Sequence, residues 1–290
     1  MAADPSLRRA LDGVRAFLLD LDGVIVLAGE AIPGAAAALA ELERRAIPYR
    51  IVTNTSLVSR ATLAEWGARI GAPVPAERFQ SALSATAADT AARYPDEALY
   101  VLASDDARSE FGGQHLLSHA QAATPGATAA AVVIGDSPEE LTYDNLNRAF
   151  RLVRRGAELI GMHRNAWWLT SEGPTLDSGA YVAGLEFATQ RSARILGKPS
   201  PRFYSLAVAA LKRDVLAAGG PRLTRREVAM VGDDVRTDIA AGQRAGLRAI
   251  FVRSGKHGEA ELAAWAGRGR SGGTPDGIAA SLAEVVAALD

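Results

Sequence analysis

The sequence predicts an α/β fold: a Rossmann-like parallel sheet core that carries a second, inserted α/β domain. Three observations lead there. Strand-like and helix-like segments alternate toward both ends of the chain, as right-handed βαβ units around a parallel sheet require. At 290 residues the chain is long for one compact core and comfortable for two. The short motifs with chemical character all lie outside the middle, which places the core at residues 1–80 and 192–290 and the insertion at 81–191.

The elements follow in order. "AFLLDL", from Ala16, reads as a strand, and "PGAAAALAELERRA" as a helix with Pro33 at its first position. "YRIVTN" is again a strand, and "SRATLAEWGARIG" a helix closed by Gly71. The pattern returns after the insertion: "ARILG" as strand, "PRFYSLAVAALKR" as helix, "EVAMVGDD" as strand, "RTDIAAGQRAG" as helix, "RAIFVRSG" as strand and "SLAEVVAAL" as a last helix. Within the insertion, "ALYVLAS", "AAVVIGD" and "AELIGMH" read as strands, with "DNLNRAFRLVRRG" and "SGAYVAGLEFATQ" as helices. The Gly-rich "GRGRSGGTPDG" reads as a surface loop.

Composition narrows the function. With 48% hydrophobic and 22% charged residues and a formal net charge of -1, nothing argues for nucleic acid or an anionic membrane as partner. The chain has no cysteine, which excludes disulfides, thiolate catalysis and sulfur-ligated zinc and fits a reducing compartment. "MAADPSLRRALDGVRA" lacks the order of a signal peptide, and the charge-free stretch Phe111–Gly135 is broken by Gly, Gln, His, Ser and Pro. A cytoplasmic location is expected. The only lysines are Lys198, Lys212 and Lys256, so a lysine carries more information here than usual; no role is assigned to Lys212 or Lys256.

In an open parallel sheet, ligands bind where the strands stop. Four predicted strand ends carry Asp20-Leu21-Asp22-Gly23, Thr53-Asn54-Thr55-Ser56, Gly197-Lys198-Pro199 and Gly232-Asp233-Asp234 with Asp238 beyond. Carboxylates, a hydroxyl and one ammonium suit phosphoryl transfer: an Asp can take the phosphoryl group, a divalent cation can screen the charges, and donors can hold the remaining oxygens. Oxygen-only ligands with room for water favour Mg²⁺. Alone, each motif is weak, since D-x-D-G also occurs in calcium loops and plain turns. "GKP" is no P-loop, because no glycine stands at the earlier spacing and proline follows.

Together, "DLDGV", "VTNTS", "GKPSP" and "MVGDDVRTDI" resemble the four motifs of the haloacid dehalogenase-like hydrolase superfamily. The large insertion between the second and third motifs resembles its C2-capped phosphatase branch. "LDSGAYVAGLEFATQRSARILGKPSPRFY" and "MVGDDVRTDIAAGQRAGLRAIFVRSGKH" are similar to its phospholysine phosphohistidine inorganic pyrophosphate phosphatase group. The resemblance implies Asp20 as nucleophile and Asp22 as general acid and base, with Asp20, Asp22 (through its carbonyl) and Asp233 on Mg²⁺ and Asp238 supporting the metal's waters. It implies Thr53, Asn54 and Lys198 as phosphate-binding residues, leaves Asp234 open, and allows a homodimer joined through the cap. The expected substrate is a small phosphorylated metabolite: pyrophosphate, a phosphoramidate, a sugar phosphate, a nucleotide or pyridoxal phosphate. A phosphomutase would share the nucleophile and acid but usually carries a helical cap. A non-catalytic binding protein would not need the full set.

In the insertion, His163, Arg164 and Asn165 match the region where relatives place cap residues near substrate. His115 and His119 stand four apart but lack an acidic partner in the usual pattern for a metal. Trp167 and Trp168 read as packing or as a stacking platform, and Gly179 as either close packing or an amide offered to an anion.

Overall fold

The computed structural model describes residues 5–170, 173–267 and 274–289, without side-chain detail for 168–170. Most of the loop expected at "GRGRSGGTPDG" lies outside the described residues, as does the side chain of Trp168. The chain forms two compact units. One comprises residues up to Thr53, Leu63–Gln80 and the chain from Lys198 on; the other comprises Asn54–Thr62 and Ser81–Gly197.

In the first unit, the strands Gly277–Ala279, Arg248–Val252, Val228–Gly232, Ala16–Asp20, Tyr49–Thr53 and Phe79–Ser81 stand side by side in that order. The pairings across the first five are parallel. Ala16–Asp20 is central and buried along its whole length, which is why it reads as an unbroken apolar run rather than as an alternation. Its register puts Leu19 opposite Val231 and Asp20 opposite Val52. Asp20, Thr53 and Gly232-Asp233 therefore all emerge at the same, carboxyl edge of the sheet.

Two local expectations change. The helix after the first strand runs Ala35–Arg44, and Pro33 precedes it: Gly34 sits at the N-cap with φ of 82°, a left-handed conformation open to glycine. The strand expected at "ARILG" forms at Arg194–Ile195 but pairs with Glu158–Gly161, so it belongs to the sheet of the second unit. There Arg194 ion-pairs with Glu158 on the adjacent strand and with Asp89.

That second sheet orders Arg194–Ile195, Glu158–Gly161, Ala131–Ile134 and Leu99–Leu102, all parallel. Alternate residues feed opposite faces: Tyr100, Leu102, Val132, Ile134 and Leu159 join one cluster, while Leu99, Val101, Val133 and Ile160 join the other. Trp167–Thr170 and Gly173–Leu176 form an antiparallel hairpin. The helix Ser178–Thr189 is capped by Asp177, whose side chain accepts the Ser178 N–H. Its second residue, Gly179, is needed for close packing. An added Cβ would stand 2.2 Å from the Asn165 carbonyl oxygen, which already accepts the Gly179 N–H, so no amide remains there for an anion. His119 opens the short helix His119–Ala123 and pairs with Glu140, while His115 precedes that helix.

Two glycines on one helix then separate packing from propensity. Gly179→Ala should destabilise the protein by about 2 kcal/mol through overpacking against backbone. Gly184→Ala, where nothing lies within 4 Å of the new Cβ, should stabilise it by about 0.5–1 kcal/mol. Urea denaturation midpoints moving in opposite directions would bear this out; a shared direction would contradict the packing described.

Candidate active site

The site grows from the carboxyl edge of the first unit's sheet. Asp20 ends the central strand and is 6% exposed. Its Oδ1 accepts the Leu21 N–H at 2.8 Å and lies 2.7 Å from Lys198 Nζ. The same ammonium stands 2.8 Å from Asp238 Oδ1. Lys198 is held just ahead of the helix Pro201–Ala217, whose N-cap is Ser200. Asp238 is fully buried within the π-helical turn Val235–Ala240, and its Oδ2 accepts the Asp234 N–H at 3.1 Å. Gly232 is required beneath it, because a Cβ there would come within 2.4 Å of the Asp238 Cβ.

Asp233 follows Gly232 at the strand end. Its Oδ2 accepts the backbone N–H of Lys256 at 2.7 Å. One carboxylate oxygen each from Asp20, Asp233 and Asp238 can be chosen so that all lie within 4.8 Å of one another. Three buried carboxylates facing one ammonium leave two negative charges uncompensated, and charges of one sign are costly away from water. Burial raises the Asp20 carboxyl against the pull of Lys198, with Asp233 and Asp22 adding to the rise. Burial and the Asp20 charge bring Asp238 up to about 7 despite Lys198. Burial would lower the Lys198 ammonium, but Asp20 and Asp238 reverse this and hold it well above its usual value. The surplus negative charge and the all-oxygen donor set could hold a divalent metal ion.

Asp22 lies beyond the strand end, its side chain reaching solvent. The protein around it still raises its carboxyl, with Lys198 opposing and Asp233 reinforcing. Asp234 is occupied otherwise: Oδ1 accepts the N–H groups of Arg236 and Thr237, and Oδ2 pairs with Lys256 Nζ at 3.1 Å. Burial would raise it, but Lys256 and those amides hold it well below the usual carboxylate range.

Thr53, 1% exposed, ends the strand beside Asp20. Asn54 follows it and is grouped with the second unit, where a Cβ on Gly197 would stand 2.7 Å from its Oδ1. His163, Arg164 and Asn165 also belong to that unit, and their described partners lie there. His163 is 2% exposed. The Asn165 N–H donates to its Nδ1 at 3.4 Å, which leaves Nε2 as the donor to Ser56 Oγ at 3.0 Å. Burial lowers its pKa against the opposing charge of Asp177. Arg164 pairs with Glu186.

Sequence reasoning missed Lys256, Ser254 and Tyr204. Ser254 Oγ donates to the Gly23 carbonyl at 2.7 Å, and the Tyr204 hydroxyl donates to the Thr237 carbonyl. The signal for the first two was present: "FVRSGK" ends another parallel strand at the same sheet edge, where the strand-end rule points. Lys256, read as a lysine without a role, is a member of the site.

The family model described as haloacid dehalogenase-like hydrolase matches residues 17–116, and one described as HAD-hydrolase-like matches residues 195–285. The chain is 34% identical over 254 residues to haloacid dehalogenase-like hydrolase domain-containing protein 2 of Bos taurus, covering 88% of each chain. It is 32% identical over 254 residues to phospholysine phosphohistidine inorganic pyrophosphate phosphatase of Homo sapiens, covering 86% of each. The crystal structure of a 4-nitrophenylphosphatase from Thermotoga maritima superposes with a TM-score of 0.80 at 25% identity, covering 97% of this chain and 99% of that one. No helix among the described residues is long and apolar enough to cross a membrane. With this carboxylate site at the edge of its parallel sheet, the chain belongs to the haloacid dehalogenase-like hydrolase family, as one of its phosphatases.

Proposed function

We propose that the protein is a Mg²⁺-dependent phosphatase that releases inorganic phosphate from compact phosphorylated substrates by way of an aspartyl-phosphate on Asp20. The observation that carries this reading is the placing of Lys198 Nζ 2.7 Å from Asp20 and 2.8 Å from Asp238, at the strand edge that also presents Asp233. Asp20, Asp233 and the Asp22 carbonyl would hold Mg²⁺, which when bound offsets the surplus negative charge and draws charge from the phosphoryl oxygens.

The chain's own groups supply the rest. An Asp20 carboxylate oxygen attacks phosphorus as the bond to the leaving atom breaks, oxygen in an ester or pyrophosphate and nitrogen in a phosphoramidate, and Asp22, its carboxyl kept protonatable by its surroundings, gives that atom its proton. Asp22, now a carboxylate, takes a proton from water as the water oxygen bonds to phosphorus and the Asp20–phosphate bond breaks. Lys198 holds Asp20 in place and meets a phosphoryl oxygen, and Thr53 and Asn54 are assigned to the remaining ones. The inserted unit is assigned to a cap that restricts substrates by size. Pyrophosphate and phosphoramidates head the substrate candidates, because the human relative's name includes them.

Asp20→Asn should abolish phosphate release from p-nitrophenyl phosphate and from an alkyl phosphate alike, with an unchanged circular-dichroism spectrum. Asp22→Asn should slow the alkyl phosphate far more, because p-nitrophenolate leaves with little need of a proton. Substantial turnover by the first variant, or equal losses on both substrates in the second, would defeat these assignments.

The ammonium between two carboxylates leaves no room for a broad planar guanidinium, Lys198 being only 4% exposed. Lys198→Arg should therefore lower kcat/KM nearly as much as Lys198→Ala, each by about 100-fold. Lys212→Arg should be near neutral. Close to full activity in Lys198→Arg would show that shape is immaterial at this position.

A further inference from the structure

Asp233 is enclosed by two glycines and held by one backbone amide. Gly23 presses on one part of it, where an added Cβ would lie 2.5 Å from the Asp233 Cγ. Gly255 presses on the same atoms, where a Cβ would lie 2.1 Å from Oδ2 and 2.4 Å from Cγ. That same Oδ2 accepts the Lys256 N–H at 2.7 Å. The two pressing segments are themselves tied together, because Ser254 Oγ donates to the Gly23 carbonyl at 2.7 Å. Three successive residues, Ser254, Gly255 and Lys256, thus fasten the loop, leave space for the carboxylate and hydrogen-bond one of its oxygens.

We propose that Ser254, Gly255 and the Lys256 amide are positioning residues that aim Asp233, fixing Oδ2 so that its other oxygen is presented to the cation. The inference rests on the reading of Asp233 as a cation ligand. Its physical basis is general: a ligand carboxylate that a neighbouring donor has already oriented loses less freedom when the ion arrives, and groups that orient ligands are worth about 10–100-fold in metal affinity. The two glycines are not equivalent as probes. Gly23 has φ of +79°, so any side chain there strains the backbone. Gly255 has no such φ, so an added methyl acts through its collision with Asp233. The Lys256 ammonium has a separate task, the pairing with Asp234 at 3.1 Å, and substitutions that keep the backbone N–H keep the aiming bond.

The test is Mg²⁺ titration by calorimetry on the full chain, with melting temperatures taken in excess EDTA. Gly255→Ala should weaken Mg²⁺ binding by about tenfold or more, and Ser254→Ala by a smaller factor that Ser254→Thr restores. Lys256→Arg should bind within about threefold of the parent protein. Ser254→Ala, Ser254→Thr and Lys256→Arg should melt within about 2 °C of the parent in EDTA, since the contacts at issue are local, and Gly255→Ala should melt about 2–6 °C below it, because its methyl displaces the buried Asp233 side chain. Parental affinity in both Gly255→Ala and Ser254→Ala, or a matching collapse of their melting temperatures, overturns the inference. Asp233→Asn separates the two levels: unchanged Mg²⁺ affinity in that variant overturns the ligand reading itself, whereas its loss alongside intact loop variants overturns the positioning role alone.

Discussion

One buried ammonium shared by two carboxylates governs this site. Lys198 Nζ lies within 2.8 Å of both Asp20 and Asp238, and all three groups are almost wholly removed from solvent. Removing a partner from such a cluster leaves an uncompensated buried charge, which costs far more than an exposed pair contributes. The position of Lys198 therefore constrains both carboxylates at once: Asp20 at the strand end where a phosphoryl group would arrive, and Asp238 in the π-helical turn behind it.

The fold delivers these groups by parallel pairing and by missing side chains. Parallel register brings Asp20 and Asp233 out at one edge from adjacent strands, and glycine permits the remaining approaches. Gly232 lies against Asp238, while Gly23 and Gly255 lie against Asp233. The third neighbouring strand, Arg248–Val252, adds the loop that bonds Asp233 through a backbone amide and pairs Asp234 through an ammonium. The five carboxylates consequently have distinct environments. Asp234 is held strongly acidic by its donors, Asp238 titrates near neutrality, and Asp22 is raised where solvent can still reach it. Asp20 and Asp22 are raised alike, mainly by burial, so what distinguishes them is position: Asp20 is fixed by Lys198 at the strand end and Asp22 lies beyond it.

Much of this was legible in the sequence because strands buried on both faces appear as apolar runs that end in polar residues. Ala16–Asp20, Tyr49–Thr53, Val228–Gly232 and Arg248–Val252 all stand where that pattern puts them. Asp20 and Asp233 are visible for the same reason, whereas Lys198 follows a strand of the other sheet and Asp238 lies in a π-helical turn, and both stand out through the motif set as a whole. What escaped depends on contacts between distant segments. "ARILG" is an apolar run that fits either sheet, and only pairing with Glu158–Gly161 decides between them. Pro33 has the residue type of a helix start, but the left-handed Gly34 moves that start onward. Lys256 looks like any surface lysine until Asp233 and Asp234 are brought beside it, and Gly179 looks like an anion site until Asn165 occupies its amide.

The central claim is that Asp20, held by Lys198, accepts the phosphoryl group. The most direct measurement is an acid quench during turnover of a phosphorylated substrate at saturation, followed by borohydride reduction and peptide mass mapping. An acyl phosphate reduces to an alcohol, so the account predicts homoserine at position 20 and at no other aspartate, with none when substrate is withheld. Reduction at a different carboxylate, or none at position 20 in an enzyme that is turning over, would contradict it.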